Sequence, residues 1–197
     1  MLNGKKVAIL VAEGFEQSEM VEPKKALESA GAETYIVSPQ PGEVQGWSHF
    51  DKADRFHVDV PVDEARADDY DALLLPGGVA NPDQLRTNPK AVQFTKAFFD
   101  AGKPVGVICH GPWTLIEAGV VKGRPLTSWP SLKTDLTNAG AKWVDQEVVV
   151  DRGLVSSRKP ADLPAFCRKL VEEIGEGVHR RAETRASGEA PRAAGAP

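Results

Sequence analysis

The chain predicts an α/β fold, a mostly parallel central sheet covered by helices on both faces. Two features carry this expectation. Runs such as Val7-Ala8-Ile9-Leu10-Val11, Ala72-Leu73-Leu74-Leu75 and Val105-Gly106-Val107-Ile108 are continuously apolar, as in strands buried on both sides. Segments of helical periodicity lie between them, so strands and helices alternate along the chain. Sheets of this kind gather ligands at the carboxyl ends of their strands.

The first strand, residues 7–11, passes through Ala12-Glu13-Gly14-Phe15-Glu16-Gln17 into a helix over 18–30, closed by Gly31. A second strand at 33–38 and a Pro39-Gln40-Pro41-Gly42 turn complete a βαβ start. Residues 46–62 are irregular, and the alternation at Val58 and Val60 suggests a hairpin outside the main sheet. The histidines and acids there (His49, Asp51, Asp54, His57, Asp59) fit no metal spacing and read as a solvated loop. Residues 70–75 form a buried strand ending in Pro76-Gly77-Gly78, whose glycines let a ligand approach the backbone. A helix over 88–101 buries a face containing Phe94, Thr95 and Phe98. After strand 105–108 come a helix stopping at Gly119, a short helix over 131–139, and strands over 143–151 and 154–157. The last helix, 161–175, carries a core stripe of Leu163, Phe166, Cys167, Leu170, Val171 and Ile174, which makes Cys167 structural.

One domain over 1–175 is expected in the 197 residues, followed by a low-complexity extension over 176–197, rich in Ala, Arg, Gly and Pro. The net charge of −4 gives no case for nucleic acid or a membrane surface, and no stretch approaches a membrane span. The N-terminal residues lead straight into a strand and do not read as a signal peptide. The two cysteines have no metal-ligand spacing, so neither a disulfide nor a metal site is predicted, and a cytoplasmic location is expected. No G-x-G-x-x-G or Walker-type lysine appears, so no nucleotide cofactor is expected.

The stretch Val105-Gly106-Val107-Ile108-Cys109-His110-Gly111-Pro112 reads as a strand entering a cysteine and then a helix. A cysteine is by default a small buried hydrophobe. At a strand end against a helix N-terminus, however, its thiolate is stabilised, and His110 is placed to move protons. Glu16 reads alone as a solvated loop acid. Beside Cys109, at the end of the first strand, it would share a proton with the sulfur. The N–H groups of Gly78 and His110 would form an oxyanion hole. An α/β-hydrolase with a cysteine nucleophile needs a later acid and then a histidine. The only histidine after His110 is His179, in the predicted extension, which argues against that fold.

Gly14-Phe15-Glu16, Leu75-Pro76-Gly77-Gly78, Ile108-Cys109-His110-Gly111-Pro112, Thr127-Ser128-Trp129-Pro130 and the stretch from Val155 to Leu163 occur in order. Together they resemble the ThiJ/PfpI family, intracellular protease I-like proteins of the class I glutamine amidotransferase-like superfamily. The resemblance implies a flavodoxin-like three-layer sandwich, a nucleophile at Cys109 on a strained elbow, and Glu16 as the protonated acid touching its sulfur. It also implies that His110 pairs with an acid from a neighbouring subunit, at the position matched by Asp83. A dimer is then the smallest assembly, and a hexamer is compatible. Asp83 equally suits a helix or turn cap. Family members commonly carry glutamate at that position and tyrosine where Trp129 stands, and both departures count against a broad protease.

Two readings follow from the resemblance. In the first, Cys109 attacks a small reactive carbonyl or an acyl group, in a glyoxalase-like or deglycase-like stress enzyme, with His110, Asp83 and Glu16 moving protons. In the second, the protein is a non-enzymatic sensor or chaperone whose Cys109 is oxidised to sulfenic or sulfinic acid.

Overall fold

The computed structural model describes residues 1–179. In chain order its elements begin with β1 (Lys6–Leu10), β2 (Phe15–Glu16), α1 (Gln17–Ser29), β3 (Glu33–Ser38), β4 (Glu43–Ser48), β5 (Asp51–His57) and β6 (Val60–Pro61). They continue with β7 (Ala72–Leu75), α2 (Ala80–Arg86), α3 (Pro89–Asp100), β8 (Val105–Ile108) and α4 (Pro112–Glu117). The last are β9 (Pro125–Leu126), α5 (Lys133–Asn138), β10 (Lys142–Trp143), β11 (Val148–Asp151), β12 (Leu154–Ser157) and α6 (Leu163–Glu176).

Seven strands form the main sheet in the order β11-β12-β8-β7-β1-β3-β6, and every pairing but β11 with β12 is parallel. β1 sits inside it, with Ile9 opposite Ile36 on one side and Leu74 on the other. Its side chains divide between the two faces, as the two-residue period of a strand requires. Val7 and Ile9 pack with Met20 and Leu27 of α1 and Phe166, Leu170 and Ile174 of α6. Ala8 and Leu10 pack with Phe94 and Phe98 of α3 and Leu115 of α4. Both faces are therefore covered, and the continuous apolar runs are explained. Each fully buried Leu or Phe contributes about 1.5–3 kcal/mol of transfer free energy.

Several elements differ from the sequence expectation. The hairpin expected outside the main sheet is present, but it is β4 and β5, starting earlier than the alternation at Val58 and Val60 suggested. It is joined through β2 into a separate three-stranded sheet, so Asp51, Asp54 and His57 lie on a strand rather than in a loop. Val60–Pro61 returns to the main sheet as an edge strand, where proline's missing N–H is tolerated. The predicted strand over 143–151 divides into β10, paired with β9 away from the main sheet, and β11. α2 was not anticipated, because Asn81-Pro82 reads as a turn and Leu85 is the only large apolar residue within it. The body extends past 175: α6 runs to Glu176, and the His179 N–H donates to the Gly102 carbonyl at 2.8 Å. Residues 180–197 of the predicted extension lie outside the described residues. Among those described, no helix is long and apolar enough to cross a membrane.

Candidate active site

β8 ends at Ile108, and the next residue, Cys109, has a φ of +62°. That left-handed conformation strains a residue with a side chain. Hydrogen bonds on both sides hold it: Cys109 N–H donates to the Ser157 carbonyl (3.1 Å), and Trp129 N–H donates to the Cys109 carbonyl (2.9 Å). The chain then turns, with Gly111 N–H on the Ile108 carbonyl, and α4 begins at Pro112. The predicted strand, elbow and helix are all present.

His110 Nδ1 lies 3.1 Å from Cys109 Sγ, and Nε2 lies 3.4 Å from Ser131 Oγ. The imidazole stacks on Trp129, with ring centres 5.9 Å apart, and tilts against Trp113 at 5.3 Å. Burial among these groups holds its pKa below the ordinary histidine value, which leaves a neutral ring able to accept a proton. The backbone N–H groups of Gly78 and His110 are both directed at the Cys109 sulfur.

The acid beside the sulfur is Glu19. Glu16 ends β2, and its carboxylate accepts from the His49 N–H (3.0 Å) and Ser18 Oγ (3.1 Å), toward the β4–β5 hairpin. One turn into α1, Glu19 faces the sheet and is fully buried. Its Oε2 accepts from Gly77 N–H at 2.9 Å. Oε1 is buried without a hydrogen-bond partner, and the carboxyl as a whole interacts with the Cys109 thiol. Burial, with the nearby Glu16 charge adding to it, pushes the Glu19 pKa up to about 8. Protonation at neutral pH eases the difficulty of a buried charge here, because a neutral carboxyl costs far less to bury than a carboxylate. A signal for Glu19 did exist in the sequence: residues 19, 23 and 27 share one helical face, and Leu27 marks that face as buried.

Gly77 makes the juxtaposition possible. A methyl group there would lie 2.6 Å from Cys109 Cβ and against the Glu19 carboxylate. Asn81, buried on α2, ties this turn to the end of β1. Its Oδ1 accepts from Ala12 N–H at 2.7 Å, and its Nδ2 donates to the carbonyls of Pro76 (2.9 Å) and Gly77 (3.0 Å).

The expected lowering of the Cys109 pKa by a helix N-terminus is not what the site does. Burial pushes the thiol up, and a charged Glu19 would push it further; the Gly78 and His110 N–H groups pull in the opposite direction. The sulfur is therefore held as a thiol until a base takes its proton. Cys167 is partly buried against the α1–α6 side of the core, as its stripe predicts, and burial pushes its thiol up to about 11.

Asp83 is exposed in the first turn of α2 and does not touch His110 of its own chain. A cleft of about 470 Å³ shares Gly78 with the site, though neither Cys109 nor His110 lines it. Glu16, Trp47, Phe50 and Val79 are among its walls.

Residues 5–173 match the model of the DJ-1/PfpI family. Deglycase PfpI of Pyrococcus furiosus is 45% identical over 167 residues, covering 85% of this chain and 98% of that protein. General stress protein 18 of Bacillus subtilis is 46% identical over 173 residues (85% and 96%), and protein/nucleic acid deglycase 2 of Escherichia coli is 43% identical over 172 (87% and 98%). Among solved structures, Drosophila melanogaster DJ-1beta superposes with a TM-score of 0.78 at 26% identity, covering 87% of this chain and 94% of that one. With its mixed sheet, its order of motifs and these relatives, the chain belongs to the DJ-1/PfpI family.

Proposed function

We propose that this protein is a cysteine-dependent deglycase-type enzyme acting on small reactive carbonyls and their early adducts. The observation that carries the reading is the 3.1 Å approach of His110 Nδ1 to Cys109 Sγ, with the Glu19 carboxyl beside the same sulfur. Neutral His110 takes the thiol proton as sulfur attacks the carbonyl carbon. The C=O electron pair moves to oxygen, and the N–H groups of Gly78 and His110 are placed to stabilise the resulting charge. With methylglyoxal the product of attack is a thiohemiacetal. Glu19 gives its proton to the new alkoxide, and the carboxylate left behind takes the C–H proton. It returns that proton to the neighbouring carbon as the hydroxyl proton shifts between the two oxygens, giving a lactoyl thioester. Water hydrolyses the thioester to lactate and free thiol, the His110 proton restoring Glu19. Relatives named deglycase at 43–48% identity support the reaction class.

The site extends to a second copy of the chain in this reading. Among the described residues, His110 Nε2 has the Ser131 hydroxyl as its hydrogen-bond partner, at 3.4 Å, and Asp83 stands exposed on α2, which packs against α4. A neighbour's Asp83 would orient the imidazole for proton transfer.

A second reading draws on one observation, a buried Glu19 carboxyl that interacts with Cys109 and keeps one oxygen without a hydrogen-bond partner. A protonated Glu19 would donate to a Cys109 sulfinate and preserve it, as a peroxide sensor requires. Methylglyoxal turnover to lactate, followed beside mass spectrometry of Cys109, separates the two. The enzyme reading expects lactate from the wild type and none from Cys109→Ala or His110→Ala. An inactive wild type whose Cys109 converts readily to sulfinate would replace it with the sensor.

A further inference from the structure

At the opposite end of the sheet, near the start of β8 and β12, α6 ends in a group of side chains that the chemistry at Cys109 does not use. Glu173, Glu176 and His179 each bring one ligand atom into a set whose members all lie within 4.8 Å of one another. From these residues we infer a divalent transition-metal site, suited to Zn²⁺, with the two carboxylates and the imidazole as protein ligands.

Three observations support it. First, Glu173 is only 8% exposed, and its Oε2 is buried without a hydrogen bond. His179 Nε2, also buried, lies 3.1 Å from that oxygen and likewise has no hydrogen bond of acceptable geometry. Two buried polar atoms this close without a hydrogen bond are costly unless a third group satisfies both. Tetrahedral zinc with bonds of about 2.0–2.2 Å separates its ligand atoms by a little over 3 Å.

Second, the chain is shaped to bring the histidine back. On a continuous helix, residues six apart do not share a face. Gly177, with a φ of +83°, ends α6 and reverses the chain, so that His179 returns to Glu173. Neither the two cysteines nor a standard histidine spacing signals such a site, so the sequence predicted no metal.

Third, the histidine is seated rather than trailing. A methyl on Gly153 would lie 2.8 Å from the His179 ring, and one on Gly102 would lie 2.6 Å from its carbonyl oxygen. Lys169, the nearest lysine on α6, pairs with Glu172 and does not fill the cluster. The mixture of imidazole and carboxylate donors suits zinc and its neighbours better than calcium or magnesium.

The test is competition for Zn²⁺ against a chromophoric chelator, using the full, tag-free chain with both thiols alkylated beforehand so that sulfur cannot bind. The wild type is expected to hold one Zn²⁺ per chain and to melt at higher temperature when it is added. His179→Ala, Glu173→Gln and Glu176→Gln should each weaken binding at least tenfold, since even outer-shell changes cost metal sites about 10–100-fold. Glu176 is exposed, so its substitution leaves the fold untouched. Wild-type protein that takes up no Zn²⁺, or binding that survives His179→Ala unchanged, would overturn the assignment and leave Glu173 and His179 as an ion pair.

Discussion

Glu16 and Glu19 are one helical turn apart, yet their surroundings give them different chemistry. Glu19 holds its proton in the fold up to about pH 8, whereas in the unfolded chain its carboxyl titrates near 4.5. Between those values the fold binds the extra proton, so stability falls as pH rises through the window, and above it the buried charge remains a burden. Glu19→Gln keeps the acceptor for Gly77 and removes that charge. The variant is therefore expected to melt several degrees above the wild type at pH 9 and close to it at pH 5. An equal difference at both values would mean that the carboxyl does not hold the proton. Wild-type kcat/KM should also decline above about pH 8. Cys109 and His110 were legible because a short motif fixes their order on a strand end. Glu19 was obscured because Glu16 sits within the more visible Gly14-Phe15-Glu16 motif.

At the scale of elements, β1, β3, β7, β8, β12 and α6 were readable because burial on both faces, or a full apolar stripe, leaves an unmistakable pattern. α2 was not, since it is held by polar contacts rather than by a stripe. Asn81 is its anchor, with three hydrogen bonds that join the ends of β1 and β7. Asn81→Ala removes the partner of Ala12 N–H and of the Pro76 carbonyl and leaves the Gly77 carbonyl only its 3.4 Å bond from Glu16 N–H. A loss of about 2–3 kcal/mol is expected in chemical denaturation. Because the Gly77 turn loses its tie, alkylation of Cys109 should change rate in the same variant. A neutral substitution would show that water replaces the amide. The β4–β5 hairpin was legible as a hairpin but not in its bounds: β5 is rich in charged residues and the two strands pair mainly with each other, which leaves little apolar pattern to mark where they begin and end.

At the scale of the whole molecule, the alternation of elements announced a parallel sheet but not the order of its strands. That order comes from contacts distant in sequence, such as β12 beside β8. Assembly is similarly beyond local pattern. If a neighbour's Asp83 serves His110, then Cys109→Ala and Asp83→Asn are each inactive alone and recover part of their activity when mixed and allowed to exchange subunits. Mixed oligomers that stay inactive, or an Asp83→Asn protein of undiminished turnover, would confine the site to one chain.

The β4–β5 hairpin stands apart from the main sheet, yet it supplies Trp47, His49 and Phe50 to the cleft wall. The sulfur, the imidazole and the buried acid all come from other segments. Under the proposed function, selection and reaction would reside on separable pieces of chain. Drift in the hairpin would then retune which molecules are admitted while the reacting trio stays as it is, so one scaffold could diversify in appetite without relearning its chemistry.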